Sequence, residues 1–337
     1  MMTAILANYV HDLSPILFEV GPLKLRWYGL AYVAGFLVGY WILLRLARRS
    51  LWVVPEEKVS DVVTFTAFFG VFLGGRIGYV LFYMLPEQGV SLLWQDPLVL
   101  LRVWDGGMAS HGGILGIFFF TLYYAWRHRL SWPGLGDGIA VVAPLGIFFG
   151  RVANFINGEL YGVKTESGFG VKFPASLREP SEIDQLEHAV YQAATVSEEV
   201  GGLLAQEGAT PGGIFPQVVE ISRDQPEVLE ALAAHIDPRH ASQLYEGFLE
   251  GALIFGLLYW LRVRFPQLGY GILTGIFFVL YALFRILVET VREPDSAQIL
   301  GLTKGQFYST FMILIGFGFL AYGATFGRRR REEDEGG

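Results

Sequence analysis

The sequence contains no cysteine and little charge. Without cysteine the chain cannot form disulfides, use a thiolate nucleophile or bind zinc through thiolates, whatever its compartment. Only 17% of the 337 residues are charged and the net charge is −7, so the composition does not suggest a nucleic-acid-binding protein. The first residues lack a basic segment followed by a long apolar core and a small-residue cleavage site, so we expect no cleaved signal peptide.

Long apolar runs occupy most of the chain. Hydrophobic residues make up 53% of it and aromatic residues 15%, and the mean hydropathy is +0.42. Crossing a bilayer takes roughly 20 apolar residues, and windows of that length recur along the sequence. We therefore predict an all-α, polytopic membrane protein with about seven transmembrane helices, at 27–46, 60–84, 109–126, 138–157, 246–263, 270–291 and 306–326.

Basic clusters indicate the orientation of these helices. Cytoplasmic loops carry an excess of lysine and arginine, and the clusters follow the first, third, fifth and seventh predicted spans. We therefore expect the N-terminus outside the cytoplasm and the C-terminus inside it. The clusters are Arg45, Arg48 and Arg49; Arg127 and Arg129; Arg262 and Arg264; and Arg328 to Arg331.

The sequence also predicts how the chain is organised outside the membrane. One long outer segment is acid-rich and contains turn-forming residues such as 211–213, so it is expected to form an extracytoplasmic head with a short helix at 226–236. The tail is basic and then acidic, a composition that predicts disorder. The expected segments are a first membrane half at 1–160, the head at 161–244, a second membrane half at 245–327 and a charged cytoplasmic tail at 328–337.

Ionisable and amide side chains lie near the outer ends of six predicted helices. A charge at membrane depth is costly, so such residues are functional candidates by default. Random surface polarity would not collect these groups at one depth, and the pattern therefore indicates a site near the outer membrane surface. The candidates are Tyr28, Arg76, His111, Arg151, Asn154, Glu159, Glu246, Arg285, Glu289 and Arg292.

The end of the fourth predicted span carries the strongest of these signals. Residues 150–159 include Arg151, two asparagines and Glu159, a combination that packing alone does not explain. Arg151 and Asn154 are three residues apart and therefore share a helix face. Arginine donates bidentate hydrogen bonds to phosphate and stays charged. The sequence thus suggests recognition of an anionic lipid headgroup.

Other candidates have structural interpretations as well. Arg285 and Glu289 are four residues apart on one helix face, which fits a structural ion pair as well as a site. His111 fits a residue that caps the start of a helix, and Tyr28 fits the aromatic belt of a membrane helix. Glycine pairs such as 112–113 fit close helix packing. These alternatives stay open on the sequence alone.

The end of the fourth span also resembles a known signature. Residues 150–162, from Gly-Arg-Val-Ala-Asn-Phe-Ile-Asn-Gly-Glu through Leu-Tyr to Gly162, are similar to the signature of bacterial prolipoprotein diacylglyceryl transferases. That signature usually has glycine where this chain has Ala153, a small change that we expect to be tolerated. The resemblance covers nearly the whole chain outside 175–235, in segments 27–29, 74–79, 103–108, 111–113, 239–240, 242–246, 284–285, 289 and 292–295.

The resemblance implies a defined reaction at the bacterial inner membrane. Members of this family transfer the diacylglyceryl group of phosphatidylglycerol to the lipobox cysteine thiol of a prelipoprotein, the first step of lipoprotein maturation. The products are a thioether and glycerol 1-phosphate, and no metal or nucleotide cofactor is needed. The implied partners are phosphatidylglycerol, other membrane lipid and the prelipoprotein signal peptide.

A mechanism consistent with both the residues and the resemblance follows as a hypothesis. Arg151 and Arg285 would hold the phosphate and stabilise charge on the leaving glycerol phosphate, and Glu289 would align Arg285. The base that takes the thiol proton would be His111, because imidazole titrates near neutral pH, or else Tyr28; the sequence leaves this choice open. The other predicted substrate-binding residues are Arg76, Asn154, Asn157, Glu159, Gly162, Glu246 and Arg292.

Two other classes of membrane protein are alternatives. A transporter of an anionic lipid or small anion needs polar groups spread through the membrane, and often broken helices in paired halves. The candidates here collect on one side, which disfavours that class. An intramembrane protease needs a Gly-Xaa-Ser-Xaa-Gly motif or paired membrane aspartates, whereas the sequence has neither, and Asp137 falls at the opposite side.

Overall fold

The computed structural model describes residues 9–21, 23–100, 102, 107–293 and 298–336. This part of the chain is mainly helical, with one antiparallel sheet of two strands. Six of its helices are long and apolar enough to cross a membrane. The predicted all-α, polytopic membrane architecture is therefore confirmed. Residues 103–106 and 294–297, which carry parts of two motifs of the family resemblance, lie outside the described residues.

Each predicted span coincides with a helix. The first helix follows a hairpin of β1 (Ile16–Val20) and β2 (Leu23–Arg26). The second contains two π-helical segments, Thr66–Leu73 and Val80–Met84. The helices are α1 (Trp27–Arg48), α2 (Glu56–Gln88), α3 (Ser91–Gln95), α4 (Ser110–His128), α5 (Trp132–Asn157), α6 (Ile183–Val196), α7 (Glu198–Leu204), α8 (Pro211–Asp224), α9 (Pro226–Ala233), α10 (Ser242–Arg264), α11 (Ile272–Glu289), α12 (Lys304–Tyr322) and α13 (Arg328–Gly336).

Helix α4 differs from the other predicted spans in its apolarity. It occupies the predicted third span but is not among the six candidate membrane-spanning helices of the described chain. Polar residues at both ends lower its apolarity, namely Ser110 and His111 at its start and Arg127 and His128 at its end. Its length of 19 residues is sufficient for a span.

Contacts within the chain divide it into two compact units. The helices α1, α5, α10, α11 and α12 each contribute part of their length to both. Unit 1 comprises Met1–Gly35, Leu145–Ile254 and Leu280–Met312, and unit 2 comprises Phe36–Pro144, Phe255–Val279 and Ile313–Gly337. The four-segment organisation predicted from the sequence stays a prediction.

The head segment in unit 1 is more ordered than the sequence indicated. Its described residues form the helices α6 to α9, of which only α9 was expected. Ser197 and Thr210 cap α7 and α8 by accepting hydrogen bonds from backbone N–H groups. The acid-rich surface obscured the apolar positions that form their common core, which are Leu177, Leu186, Ala189, Val190, Ala193, Val200, Ile214, Phe215, Val218, Val228, Ala231, Leu232 and Ile236.

The charged tail forms a helix, so the disorder expected from its composition is wrong. Helix α13 continues α12 through a π-helical turn, Gly323–Gly327. Arg328 pairs with Glu332 at 3.1 Å, one turn later. The Nη1 of Arg331 donates to the carbonyl of Leu268 at 3.0 Å. The tail is thus ordered together with its contacts to the rest of unit 2, and composition does not reveal those contacts.

Glycines allow helices α2 and α4 to pack closely in unit 2. A Cβ at Gly74 would lie 2.8 Å from the Cα of Gly116, and Cβ atoms at Gly78 and Gly112 would collide with the opposite backbone. Larger side chains would separate the helices. Helix packing is therefore a sufficient explanation for these glycines.

A second close contact, in unit 1, positions the candidate site. Helices α5 and α10 approach each other so closely that a Cβ at Gly251 would lie 2.7 Å from the Cβ of Phe148. One turn earlier on α10, a Cβ at Gly247 would lie 3.3 Å from the Cβ of Arg151. This approach brings the start of α10 beside the arginine predicted to be functional.

Candidate functional site

One buried carboxylate gathers three arginines in unit 1. Glu246, near the start of α10, is fully buried. Its Oε2 lies 2.6 Å from Nη2 of Arg151 and 3.0 Å from Nη1 of Arg285. Its Oε1 accepts from Nη1 of Arg292 at 2.9 Å. Because a buried charge needs such partners, Glu246 holds guanidinium groups from three parts of the chain in one place.

The arginine cluster is extended by Glu289. Its Oε2 lies 2.9 Å from Nη2 of Arg285, which confirms the predicted shared face of α11. Gly305 packs against this pair, since a Cβ there would lie 2.6 Å from the Oε2 of Glu289. The side chains of Arg151 and Arg285 remain 19% and 14% exposed. Both side chains are therefore partly accessible.

A second polar network joins this cluster to α1. The Nη1 of Arg151 donates to Oδ1 of Asn154 at 3.4 Å, and the Nδ2 of Asn154 donates to Oε1 of Glu159 at 2.9 Å. The hydroxyl of Tyr28 donates to the same carboxylate oxygen and accepts from the Nδ2 of Asn154. Tyr28 therefore belongs to the site by contact and is more than an aromatic belt residue.

The turn after α5 fixes the position of Glu159. Gly158 ends the helix with a left-handed backbone, at φ 67°, a conformation that glycine adopts without strain. The backbone N–H of Glu159 then donates to the carbonyl of Asn154 at 3.1 Å. From α10, the Nε2 of Gln243 donates to the carbonyl of Glu159 at 2.7 Å. The Glu159 backbone is thus fixed from two helices.

Gly162 and Asn157 have different structural roles. The backbone N–H of Gly162 donates to the carbonyl of His240 at 2.8 Å, and Gly162 forms an isolated β-bridge with Arg292. A Cβ at Gly162 would lie 2.8 Å from the Cβ of His240, so close packing accounts for the glycine. The Oδ1 of Asn157 is buried and has no hydrogen-bond partner among the described residues, which leaves an acceptor for a ligand.

Two predicted site residues belong to unit 2. Arg76 is buried, and its guanidinium group donates to the carbonyls of Val99, at 2.9 Å, and Gly107, at 3.2 Å. These bonds fix the backbone before α4. His111 lies exposed in the first turn of α4. The other predicted site residues, from Tyr28 to Arg292, all belong to unit 1.

Sequence reasoning missed two buried residues of unit 1. Glu250 lies one turn after Glu246 on α10, and both of its carboxyl oxygens are buried without a hydrogen-bond partner among the described residues. Its position inside a predicted span was the signal that would have identified it. The Nε2 of His11 donates a hydrogen bond to the carbonyl of Phe155 at 2.7 Å, and burial lowers the pKa of the imidazole. The lowered pKa favours the neutral ring, whose N–H donates to that carbonyl.

These features define a class of protein: a polytopic membrane protein with a partly accessible arginine cluster. The cluster comprises Arg151, Arg285 and Arg292 and is fixed in advance by Glu246. Planar guanidinium groups match the geometry of phosphate oxygens. The arrangement can therefore hold a phosphate group and stabilise negative charge that develops on it.

Comparisons with known proteins identify the family. The profile of prolipoprotein diacylglyceryl transferases matches residues 15–322. The phosphatidylglycerol–prolipoprotein diacylglyceryl transferase of Azospirillum brasilense is 40% identical over 316 residues, which cover 92% of this chain and 94% of the relative. The enzyme of the same name from Sodalis glossinidius is 38% identical over 317 residues, 92% of each chain. The chain therefore belongs to the prolipoprotein diacylglyceryl transferase family.

Proposed function

We propose that the protein transfers the diacylglyceryl group of phosphatidylglycerol to the lipobox cysteine of a prelipoprotein. The cysteine thiol loses its proton to a base. Its sulfur then forms a bond to the carbon of the diacylglyceryl group that is joined to the phosphate through oxygen. The bond between that carbon and the phosphate oxygen breaks, so glycerol 1-phosphate leaves with the electron pair. The observation that carries this proposal is the partly accessible cluster of Arg151, Arg285 and Arg292, in a chain whose relatives bear this activity in their names.

Arg151 and Arg285 are assigned to the phosphate. Each pairs with Glu246 through one nitrogen and contacts Asn154 or Glu289 through another. Since a guanidinium group has five N–H donors, each retains others for a ligand. Negative charge grows on the leaving phosphate as the carbon–oxygen bond breaks, and donors that are already in place stabilise it. Arg292 is more buried and contacts the other oxygen of Glu246, so its assigned role is to hold that carboxylate.

Tyr28 and His111 receive different roles. The hydroxyl of Tyr28 donates to Glu159, which favours a positioning role for this pair with Asn154. His111 is exposed in the first turn of α4 and is assigned as the base because imidazole accepts protons near neutral pH. The unpaired Oδ1 of Asn157 is assigned to a hydroxyl of the glycerol headgroup.

The orientation proposed for the chain places the arginine cluster at the outer side of the inner membrane. Two reporters at each position measure this: a fluorescent protein, which reports a cytoplasmic position, and alkaline phosphatase, which reports a position outside the cytoplasm. After the tail, only the fluorescent protein should be active. At the exposed turn 206–208, between α7 and α8, only alkaline phosphatase should be active. The reverse pattern would contradict the proposed side of the reaction.

A reconstituted reaction tests the activity directly. Purified protein, phosphatidylglycerol and a lipobox peptide should give a peptide heavier by one diacylglyceryl group, together with glycerol 1-phosphate. Mass spectrometry measures both products. A peptide with serine in place of the cysteine is the control and should stay unmodified. Absence of both products from a folded protein in a phosphatidylglycerol bilayer would refute the proposed function.

A further inference from the structure

A polar cavity in unit 2 is lined by arginines from the basic clusters that indicate the orientation of the helices. Its volume is about 410 Å³. It is lined by Arg129 after α4, Arg262 near the end of α10 and Arg331 in α13. Among the described residues that line it there is no carboxylate, and the others are Ser50, Leu51, Trp52, Val53, Leu130, Ser131, Gly134 and Tyr270.

Two of the three arginines are held by the fold. Arg262 is buried, and its Nη2 donates to Oδ2 of Asp137 at 3.4 Å. That aspartate also accepts three shorter hydrogen bonds, each of 2.9 Å, from the backbone of Gly271 and from the backbone and hydroxyl of Thr274. Arg331 is also buried and lies with its guanidinium carbon 5.6 Å from the ring centroid of Tyr270. The position of both charges is thus built into the packing.

Local backbone strain occurs at two residues of the same cavity. Ser50 and Arg129 have left-handed backbone conformations, with φ of 54° and 57°. This region disfavours residues other than glycine, and strained positions cluster at ligand sites. Both residues end helices, where glycine is the usual choice. At these two positions the cavity is lined instead by a serine and an arginine.

We propose that this cavity binds the phosphate group of an anionic ligand. Guanidinium groups and hydroxyls are the donors that phosphate oxygens accept best, and basic pockets between membrane helices bind lipid headgroups. Trp52 and Tyr270 are residues of the type found at membrane interfaces. The same chemistry would accept a lipid headgroup or a soluble phosphate. This site lies in unit 2, and it does not depend on the transfer reaction proposed above.

The experiment uses the whole purified chain and Arg129→Gly. This substitution removes one guanidinium group and suits the left-handed backbone, so the variant should fold at least as well as the parent. Ser50→Gly gives the same backbone relief and keeps all three arginines. Arg127→Gln and Arg330→Gln remove exposed arginines from α4 and α13 outside the cavity, and they control for net charge.

Two probes distinguish the sources of phosphate. For the lipid source, the protein is placed in nanodiscs of phosphatidylcholine that contain a minor share of phosphatidic acid. Native mass spectrometry then counts the phosphatidic acid molecules that stay bound to the protein. Thermal unfolding in neutral detergent with inorganic phosphate tests the soluble source. Arg129→Gly should bind the effective probe about tenfold or more weakly, because a lost charge-assisted hydrogen bond is worth about that factor. Arg127→Gln and Arg330→Gln should bind within about twofold of the parent chain. Ser50→Gly, which loses one hydroxyl and no charge, should bind more weakly than these controls and more tightly than Arg129→Gly.

The outcomes separate cleanly. If Arg129→Gly, but neither charge control, no longer retains phosphatidic acid, the ligand is a lipid headgroup. If the same variant instead loses the stabilisation by inorganic phosphate, the ligand is a soluble phosphate. Equal binding by Arg129→Gly and the Arg127→Gln control overturns the site, as does binding of neither probe by the parent. Arg129→Gly should retain transferase activity, which distinguishes this cavity from the arginine cluster of unit 1.

Discussion

Replacing Arg151 or Arg285 with alanine should lower the transfer rate by roughly 100- to 1,000-fold, the usual effect of losing one donor to a developing negative charge. Either variant should still fold and insert, because Glu246 keeps two of its three arginine partners. Steady-state assays with phosphatidylglycerol and a lipobox peptide measure the change. Arg178→Ala is the matched control, since this exposed arginine of unit 1 lies outside the cluster.

Lysine should restore little of this activity. Arg151 contacts Glu246 through one nitrogen and Asn154 through another, and a single ammonium group does not reproduce that fork. Arg285 likewise contacts both Glu246 and Glu289. Full activity with lysine at both positions would mean that charge alone suffices, and the proposed bidentate recognition of phosphate would be wrong.

His111→Gln should lower turnover far more than lipid affinity, by roughly 100- to 10,000-fold, if His111 is the general base. The parent rate should rise with pH, because a general base accepts the thiol proton only in its deprotonated form, and the rate of His111→Gln should lack that rise. A substrate thiol that is already ionised should bypass part of the defect, because its proton is gone. Turnover, affinity and the pH profile are measured on the same preparations.

The control for His111 lies on the same helix. His128→Gln, at the other end of α4, makes the same substitution outside the proposed site and should leave the pH profile unchanged. A histidine that only caps α4 would affect stability or lipid binding and not the pH profile. Near-normal turnover of His111→Gln with an unaltered profile would exclude His111 as the base. Tyr28 would then be the next candidate.

The membrane helices could be predicted because their signals are local. A span is a run of apolar residues, and its basic end is visible in the neighbouring sequence. Arg151 with Asn154, and Arg285 with Glu289, share helix faces by their spacing, and both contacts are present. The short helices of the head were harder to predict from the sequence, since their few apolar positions become a core only when α6 to α9 pack together.

The sequence by itself determined the membrane architecture, the end of α5 as the most informative segment and the family. Only the tertiary structure decided which charges meet. Tyr28 and Glu159 are 131 positions apart, and Arg285 lies 39 beyond Glu246. No periodicity indicates that Glu246 joins three arginines or that Arg262 and Arg331 line one cavity. Hydropathy depends on neighbouring residues, whereas the pairing of buried charges depends on how distant helices pack.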